Sequence, residues 1–549
     1  MRFDGFCGPT YQSWSPNVSN ERTINLYPEI MESAGAKSKV ALYGTPGLTL
    51  FTTLSHAPVR ALWAGEDRLF AVGGDHYYEV FEDPVANPPT DRSAGTGGIT
   101  IGDDAQHTPV AIWPNGTQNL IVSAGQAYID GGPNIVPATM DTSAAGKANS
   151  YAAPGIAWVS GDKFGAWMVG QTLTLGGATY TVSAFGDEEY ILVSPPYPPV
   201  QANVDFSISG HLNMAARTGC FLDTYFIIAP PDSKTFYFSN PNDGTAWDGL
   251  EVSVKEAYPD NIAAVYADHE ELYLFGTHWS TEVWRNEGAA DAAGGFVRDP
   301  GGFVHIGCVA PWSIQSLASG LHFLGGDTRG RTVAYRLQGF QPVRVSTHAV
   351  EQVWSTYSTV WDAYSYAYTD EGHEFWVLNF QTANATWVYD VASQMWHERA
   401  YWNGTSFERH RGRCHAFVWG KHFVGDWANG NIYEMKHGIF TDNGVPIHRV
   451  RQAPHLSNEE VHVFHHRLQL DAEINGTAPS FALDWSDDDG TTWNTPKTRA
   501  PSVSGNKGRY LWNRLGTARD RIYRVTTSDA AKVAIVDAIL NPAPTSGAH

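Results

Sequence analysis

Ile262-Ala-Ala-Val-Tyr266, Leu272-Tyr-Leu-Phe-Gly276 and Thr281-Glu-Val-Trp284 are three short apolar stretches separated by polar turns. Each is too short for a helix and rich in β-branched or aromatic residues, so each reads as a strand. The second ends in glycine and the third carries an aromatic residue. The same triplet recurs along the chain. It appears as Pro58–Trp63, Arg68–Gly74 and Tyr77–Phe81, and as Pro109–Trp113, Asn119–Gly125 and Ala127–Ile129. A third copy reads Asn213–Arg217, Tyr225–Ala229 and Phe236–Phe238. Beyond the opening triplet come Trp312–Leu317, Leu321–Gly326 and Thr332–Tyr335, then Ala363–Tyr368, Glu374–Leu378 and Thr386–Tyr389. The last copy is Cys414–Trp419, His422–Gly425 and Asn431–Met435.

The spacing is regular. Ala61 to Ala111 is 50 residues, Ala215 to Ala264 is 49, and Tyr366 to Ala416 is 50. A period of about 40 to 50 residues with three or four strands per unit predicts a β-propeller, in which each small sheet buries its faces against its neighbours. Seven blades are expected, with six as the alternative. One interval, Ala111 to Ala215, is 104 residues. Within it, Trp167–Leu175, Gly176–Val182 and Tyr190–Val193 alternate and turn at glycines, which predicts an inserted small β-barrel-like domain over 131–210. The Pro-rich Ser194–Pro199 is expected to follow its last strand. A propeller must also close, and Leu48–Leu54 is the candidate fourth strand of the last blade, pairing near Ile432.

After residue 446 the rhythm ends. Val461–Phe464, Leu468–Leu470, Phe481–Trp485, Arg521–Val525 and Val533–Val536 predict a separate C-terminal β-sandwich. The expected all-β organisation is a 1–57 arm with the closing strand, blades one and two over 58–130, the insert over 131–210, blades three to seven over 211–446, and the sandwich over 447–549.

Composition agrees with short strands and tight turns. Only 17% of residues are charged, 13% are aromatic, and there are 54 glycines. The net charge is −21, which argues against a protein that grips nucleic acid by its phosphates. The acidity is local: residues 447–549 carry 12 Lys and Arg against 11 Asp and Glu. The chain opens Met1-Arg2-Phe3-Asp4-Gly5, without a signal-peptide pattern, and has no apolar run long enough to span a membrane. Synthesis in the cytoplasm without an export signal is expected.

No constellation compels chemistry. Cys7, Cys220, Cys308 and Cys414 lack CxxC spacing and read as reduced, mostly buried thiols. Ser486-Asp-Asp-Asp-Gly-Thr-Thr-Trp493 resembles the Asp-box of sialidase-type propellers, a turn device rather than a catalytic one. Glycoside hydrolysis needs two opposed carboxylates. Asp268, Glu270, Glu271, Glu282 and Asp390 are candidates, but their spacing singles out no pair. His462, His465 and His466 cluster, as do His410 and His415; on a strand, His462 and His466 would stand about 13 Å apart. Trp63, Trp113, Trp284, Trp312, Trp376 and Trp419 recur at blade positions and read as core. No catalytic, cofactor-binding or metal residue is assigned, and no cofactor.

Tyr11-Gln-Ser-Trp-Ser-Pro-Asn-Val-Ser-Asn-Glu-Arg-Thr-Ile-Asn-Leu-Tyr-Pro-Glu29, followed by Leu42-Tyr-Gly-Thr-Pro-Gly-Leu48, resembles the packaged-DNA stabilisation proteins of Salmonella-type short-tailed bacteriophages, the tail hub or nozzle proteins. Leu483–Trp493 and Trp512–Val525 are similar to the same family, so the resemblance brackets most of the chain. It implies a non-enzymatic virion part, assembled in the host cytoplasm. Such proteins form a homohexameric ring below the portal and adaptor. They help retain the packaged genome and carry a needle, tailspikes or fibres below. Genomic DNA would pass through the channel without sequence-specific binding, and no membrane would be spanned. The alternative is a propeller glycosidase or depolymerase, or a sugar-binding tail protein.

Overall fold

The computed structural model describes residues 2–541, apart from 34, 94–96, 103–107, 152–153, 289–294, 327–330 and 458–460. The ends of the expected arm and sandwich, residue 1 and residues 542–549, therefore lie outside the described residues. Strands dominate. Among the described residues the one α-helix is His348–Trp354, capped by Thr347, whose Oγ1 accepts from the Val350 N–H at 3.3 Å. No helix there is long and apolar enough to cross a membrane.

Seven four-stranded antiparallel blades are present among the described residues. The first is Val59–Gly65, Arg68–Gly73, His76–Val80 and Thr90–Asp91. The second is Val110–Pro114, Asn119–Ser123, Gly125–Asp130 and Ile135–Pro137. Thr218–Leu222, Tyr225–Ala229, Thr235–Asn240 and Asp243–Val254 make the third. Ile262–Asp268, Glu271–Gly276, Thr281–Asn286 and Phe296–Val304 make the fourth. The fifth and sixth run from Gln315–Leu317 to Gln341–Arg344 and from Tyr364–Asp370 to Met395–Trp402. Gly412–Val418, Lys421–Asp426 and Asn431–Lys436 begin the seventh, and Gly47–Thr53 completes it, with Thr52 opposite Ile432.

The third blade begins later than its expected start at Asn213. Residues 201–213 extend a strand of the insert, and Ala215–Ala216 pairs with Gly125–Asp130 instead. The first strand of that blade is Thr218–Leu222, which turns back through Asp223 and Thr224, both at positive φ.

The chain divides into two compact units. One holds 1–110, 275–282 and 300–549; the other holds 111–274 and 283–299. In the first unit, blades seven and one share a core of Leu54, Val59, Leu69, Ala71, Phe423 and Ile432. The small residue ending each second strand has a packing cause here. A Cβ on Gly425 would stand 2.4 Å from the Val59 Cγ1, so the neighbouring blade can approach only a glycine. Blades five and six enclose Trp354, Trp376, Trp387 and Trp396. The indole N–H groups of Trp376, Trp387 and Trp396 donate to Ser313 O, Tyr357 Oη and Val345 O at 3.2, 3.0 and 2.9 Å. Each such ring removes roughly 150–250 Å² from water, a gross gain of about 5 kcal/mol before chain entropy.

The second unit contains the insert. Thr139–Ser150, Gly155–Gly161, Thr172–Leu175, Ala178–Asp187, Tyr190–Val193 and Gln201–Asn213 form a closed six-stranded barrel, because Thr139–Ser150 pairs with both Gln201–Asn213 and Gly155–Gly161. Leu173, Leu175, Val182, Ile191, Val193, Phe206 and Ile208 fill it. The expected 131–210 range shifts for two reasons. Ile135–Pro137 is the outer strand of the second blade, and the last barrel strand follows Ser194–Pro199 instead of preceding it.

The C-terminal sandwich differs most from expectation, because it is not built from 447–549 alone. One sheet orders Asn20–Ile24, Arg449–His455, Ile522–Thr527, Phe481–Ser486 and Lys497–Arg499. The other orders Leu26–Ile30, Val40–Gly44, Ala534–Leu540, Arg467–Glu473, Lys507–Asn513 and Ser502–Ser504. The 1–57 arm carries more than the propeller-closing strand. It contributes three sandwich strands and buries Phe3, Phe6, Leu26 and Leu42 with Trp512, Tyr523 and Leu540.

Candidate functional site: the N-terminal arm between blade and sandwich

The arm is cemented on both sides. Ile24 pairs in parallel with Glu398 of the sixth blade's outer strand, while Arg22–Ile24 pair with Val450–Gln452 of the sandwich. Asn25, at φ 57°, turns the chain from one sandwich sheet to the other. Its amide donates to Ala400 O and His448 O, both at 2.8 Å, and accepts from the Ala400 N–H at 2.9 Å. Arg22 makes a bidentate pair with Glu398, at 3.0 and 2.5 Å. Blade and sandwich thus belong to one hydrogen-bonded sheet rather than two bodies on a linker.

Arg451 is the hub of this junction, and its side chain is fully buried. Nη1 donates to Pro9 O and Thr23 Oγ1, both at 2.9 Å, and to Gly8 O at 3.3 Å. Nη2 donates to Gly5 O at 2.9 Å and to Glu21 Oε2 at 2.7 Å. Nε donates to Phe6 O. A planar fork with five N–H groups is the one side chain that can gather so many carbonyls and a carboxylate together.

The arm then crosses the Asp-box turn. Asp488 Oδ1 accepts from Ser486 Oγ at 2.7 Å and from the Thr492 N–H at 2.8 Å, and Trp493 Nε1 donates to Gly490 O at 3.0 Å. The hydrogen bond from Ser486, then those from Thr492, hold the Asp488 carboxyl down to about 2. The motif is a turn device, and its outer face is a landing site. Asn20 Nδ2 donates to Asp489 O at 3.1 Å, and Gln452 Nε2 reaches Asn20 O. In the loop between Tyr11–Gln12 and Asn20–Ile24, Trp14 and Val18 are 78% and 71% exposed.

The residues singled out from sequence fall mostly into packing. Asp390 is buried and accepts from His373 Nδ1 at 2.8 Å and Ser393 Oγ at 2.6 Å. Glu271 takes the Tyr273 hydroxyl at 2.6 Å, Glu282 is fully buried, Asp268 lies beside His269, and Glu270 is exposed in a turn. The structure does not gather these five carboxylates into one site. Burial pushes the His410 and His415 imidazoles down to about 3. His415 faces His422 at 3.0 Å, and His410 Nδ1 accepts from the Gly412 N–H. His465 is buried against the Tyr523 hydroxyl at 2.8 Å, His462 accepts from Arg519 at 3.4 Å, and His466 lies against Phe464. The four cysteines are not in disulfides; Cys308 Sγ donates to Ala310 O at 3.1 Å, and burial pushes Cys7 and Cys414 up to about 12. Trp284 and Trp376 are core; Trp63, Trp113 and Trp419 lie against Phe70, Tyr266 and Phe423; Trp312 is half-buried, its carbonyl accepting from the Ser365 N–H.

Two His–carboxylate groupings escape sequence spacing, because the fold assembles them. His56, Asp75 and His76 meet beside the first blade, and His455, Asp489 and Asp520 meet on the sandwich beside the arm. In the first, the imidazoles stack face to face at 3.5 Å and 4°, so their in-plane lone pairs run parallel and do not converge on one ion.

Comparison with known proteins gives two matches to family models. Residues 211–439 match the bacteriophage P22 Gp10 β-propeller, and residues 448–541 match the bacteriophage P22 Gp10 β-sandwich. No curated protein matches the chain at a significant level. Solved structures similar to it include the computationally designed Ika8 protein and Saccharomyces cerevisiae Sqt1, each 10% identical, with a TM-score of 0.33, over 71% of this chain and 99% of the other. An exo-β-1,3-galactanase from Phanerochaete chrysosporium is 11% identical over 97% of this chain and 99% of its own, with a TM-score of 0.22. The two family matches together take in more than half of the chain, so this propeller and sandwich belong to the bacteriophage P22 Gp10 family of packaged-DNA stabilisation proteins.

Proposed function

We propose that the protein is a non-enzymatic tail hub or nozzle. Six copies close into a ring below the portal and adaptor, retain the packaged genome, give it a channel for ejection, and attach needle, spikes or fibres below. The protein is a virion-associated structural protein by family; its assembly in the host cytoplasm, the ring and the attachments belong to the proposal. The observation that carries it is the paired match, one model to the propeller and one to the sandwich. The junction supports it: a part that bears the pressure of packaged DNA needs domains joined by sheet and buried arginine rather than by a linker. Exposed apolar side chains at Trp14, Val18, Trp361, Phe417, Val461 and Phe464 offer surface for contacts between subunits.

Charge fits a channel that DNA passes without sticking. Six chains of −21 carry a net charge of about −126, and a wall of like charge repels phosphates. Native mass spectrometry tests the reading. Six chains of 60.2 kDa give about 360 kDa for the ring. A chain that stays monomeric alone and with its adaptor, or one that cleaves capsular or lipopolysaccharide sugars through a single carboxylate, would overturn it.

A further inference from the structure

We propose that His455, Asp489 and Asp520 bind one divalent zinc-type cation that staples the N-terminal arm to the Asp-box turn. The three side chains come from Arg449–His455, from the turn after Phe481–Ser486, and from the residues before Ile522–Thr527. Their candidate ligand atoms all lie within 4.8 Å of one another. His455 Nδ1 is 2.6 Å from Asp520 Oδ2 and 4.0 Å from Asp489 Oδ1.

Two further observations point to a cation. The other ring nitrogen, His455 Nε2, lies 2.7 Å from Pro16 O. With Nε2–H donated to that carbonyl, Nδ1 is the nitrogen turned to the two carboxylates; in the metal-free chain it donates a proton to Asp520, and it ligates once that proton leaves to solvent, the carbonyl holding the ring as partners of ligating imidazoles do. In addition, Asp520 Oδ1 is closed off from solvent with no hydrogen-bond partner, so the carboxylate holds unused acceptor capacity. One nitrogen and two carboxylate oxygens suit zinc, with a fourth position left for water. Ligands about 2.1 Å from a tetrahedral ion stand about 3.4 Å apart. The 2.6 Å pair would open and the 4.0 Å pair close, each by under about 1 Å. The ion replaces the Nδ1 proton, and through Pro16 it ties residues 11–19 to the sandwich.

The test uses the full-length, tag-free chain, stripped with chelator and titrated with zinc chloride alone, with magnesium chloride as the control. Tight binding of one zinc ion is expected, together with slower protease cleavage around Trp14 when zinc is present. Asp520→Asn and Asp489→Asn should each weaken that binding at least tenfold. Asp489→Asn is the safeguard against misfolding. Its carboxylate stands too far from the ring for a hydrogen bond, and asparagine tolerates its φ of 61°. Its thermal midpoint without zinc should therefore match the parent. No tight zinc binding by the parent chain, or equal binding by a folded Asp489→Asn chain, overturns the proposal.

Discussion

Replacing Arg451 with methionine keeps the aliphatic stem and removes the fork that gathers the arm. The Gly5, Phe6 and Pro9 carbonyls, the Thr23 hydroxyl and the Glu21 carboxylate lose the Arg451 donor together, while Gly8 O keeps its hydrogen bond from Thr23 Oγ1 at 2.7 Å. Arg451 is fully buried, while Glu21 is 18% exposed and can regain some water. Removing one partner of a buried pair costs about 3–5 kcal/mol, and each orphaned acceptor adds to that unless water enters. A loss of about 4 kcal/mol is therefore expected, falling on the sandwich and arm. For a unit of that size it lowers the midpoint by about 15 °C. Calorimetry of the full chain should show the sandwich transition moving away from the propeller transition, because a multidomain chain does not melt as one unit. Limited proteolysis should then cut between residues 1 and 25. Glu21→Gln, which keeps an acceptor and loses only the charge, should cost less than half as much. A midpoint within about 3 °C of the parent, with the arm still protected, would refute the idea that Arg451 organises the junction.

Burial pushes the Asp442 carboxyl up to about 7, with Arg449 nearby pulling it back only in part. The folded chain keeps that proton while the unfolded chain loses it near 4, so stability falls as pH rises from about 4 to about 7 and is flat above. Asp442→Asn should remove that slope and stabilise the protein at pH 8 by up to about 4 kcal/mol, read from denaturant midpoints. Gly490 sits at φ +92°, and a Cβ there would meet Asn20 Nδ2 at 2.7 Å. Gly490→Ala should therefore cost about 1–3 kcal/mol and loosen residues 11–20, seen as faster amide exchange. Leu48 of the closing strand is 1% exposed, so Leu48→Ala should cost about 3 kcal/mol, measured as a lower propeller midpoint in calorimetry.

The blades were legible because each is local. Strands such as Leu272–Gly276 lie next to their partners in sequence, so periodicity and turn glycines suffice to find them. The barrel was half legible: Tyr190–Val193 reads as a strand, but closure depends on Thr139–Ser150 finding Gln201–Asn213 across some sixty residues. The junction was hidden for a physical reason. Arg449-Val-Arg-Gln-Ala-Pro-His455 carries two arginines and a proline and has no strand pattern of its own. It is a strand because residues 5–23 supply the acceptors that let Arg451 be buried. The arm itself read as a family signature without revealing that its strands belong to the sandwich. Likewise His455, Asp489 and Asp520 share no spacing, while the clustered His462, His465 and His466 are divided among solvent, core and a neighbouring ring.

In the proposed function, six copies of this chain close into the ring through which packaged DNA is held and released. A symmetric electron-microscopy reconstruction of the assembled phage tail tests it most directly. Six copies around one axis below the adaptor, with an acidic channel wall and the blade–sandwich junction intact, are the expected result. A different copy number, a basic channel wall, or a position away from the DNA path would contradict it.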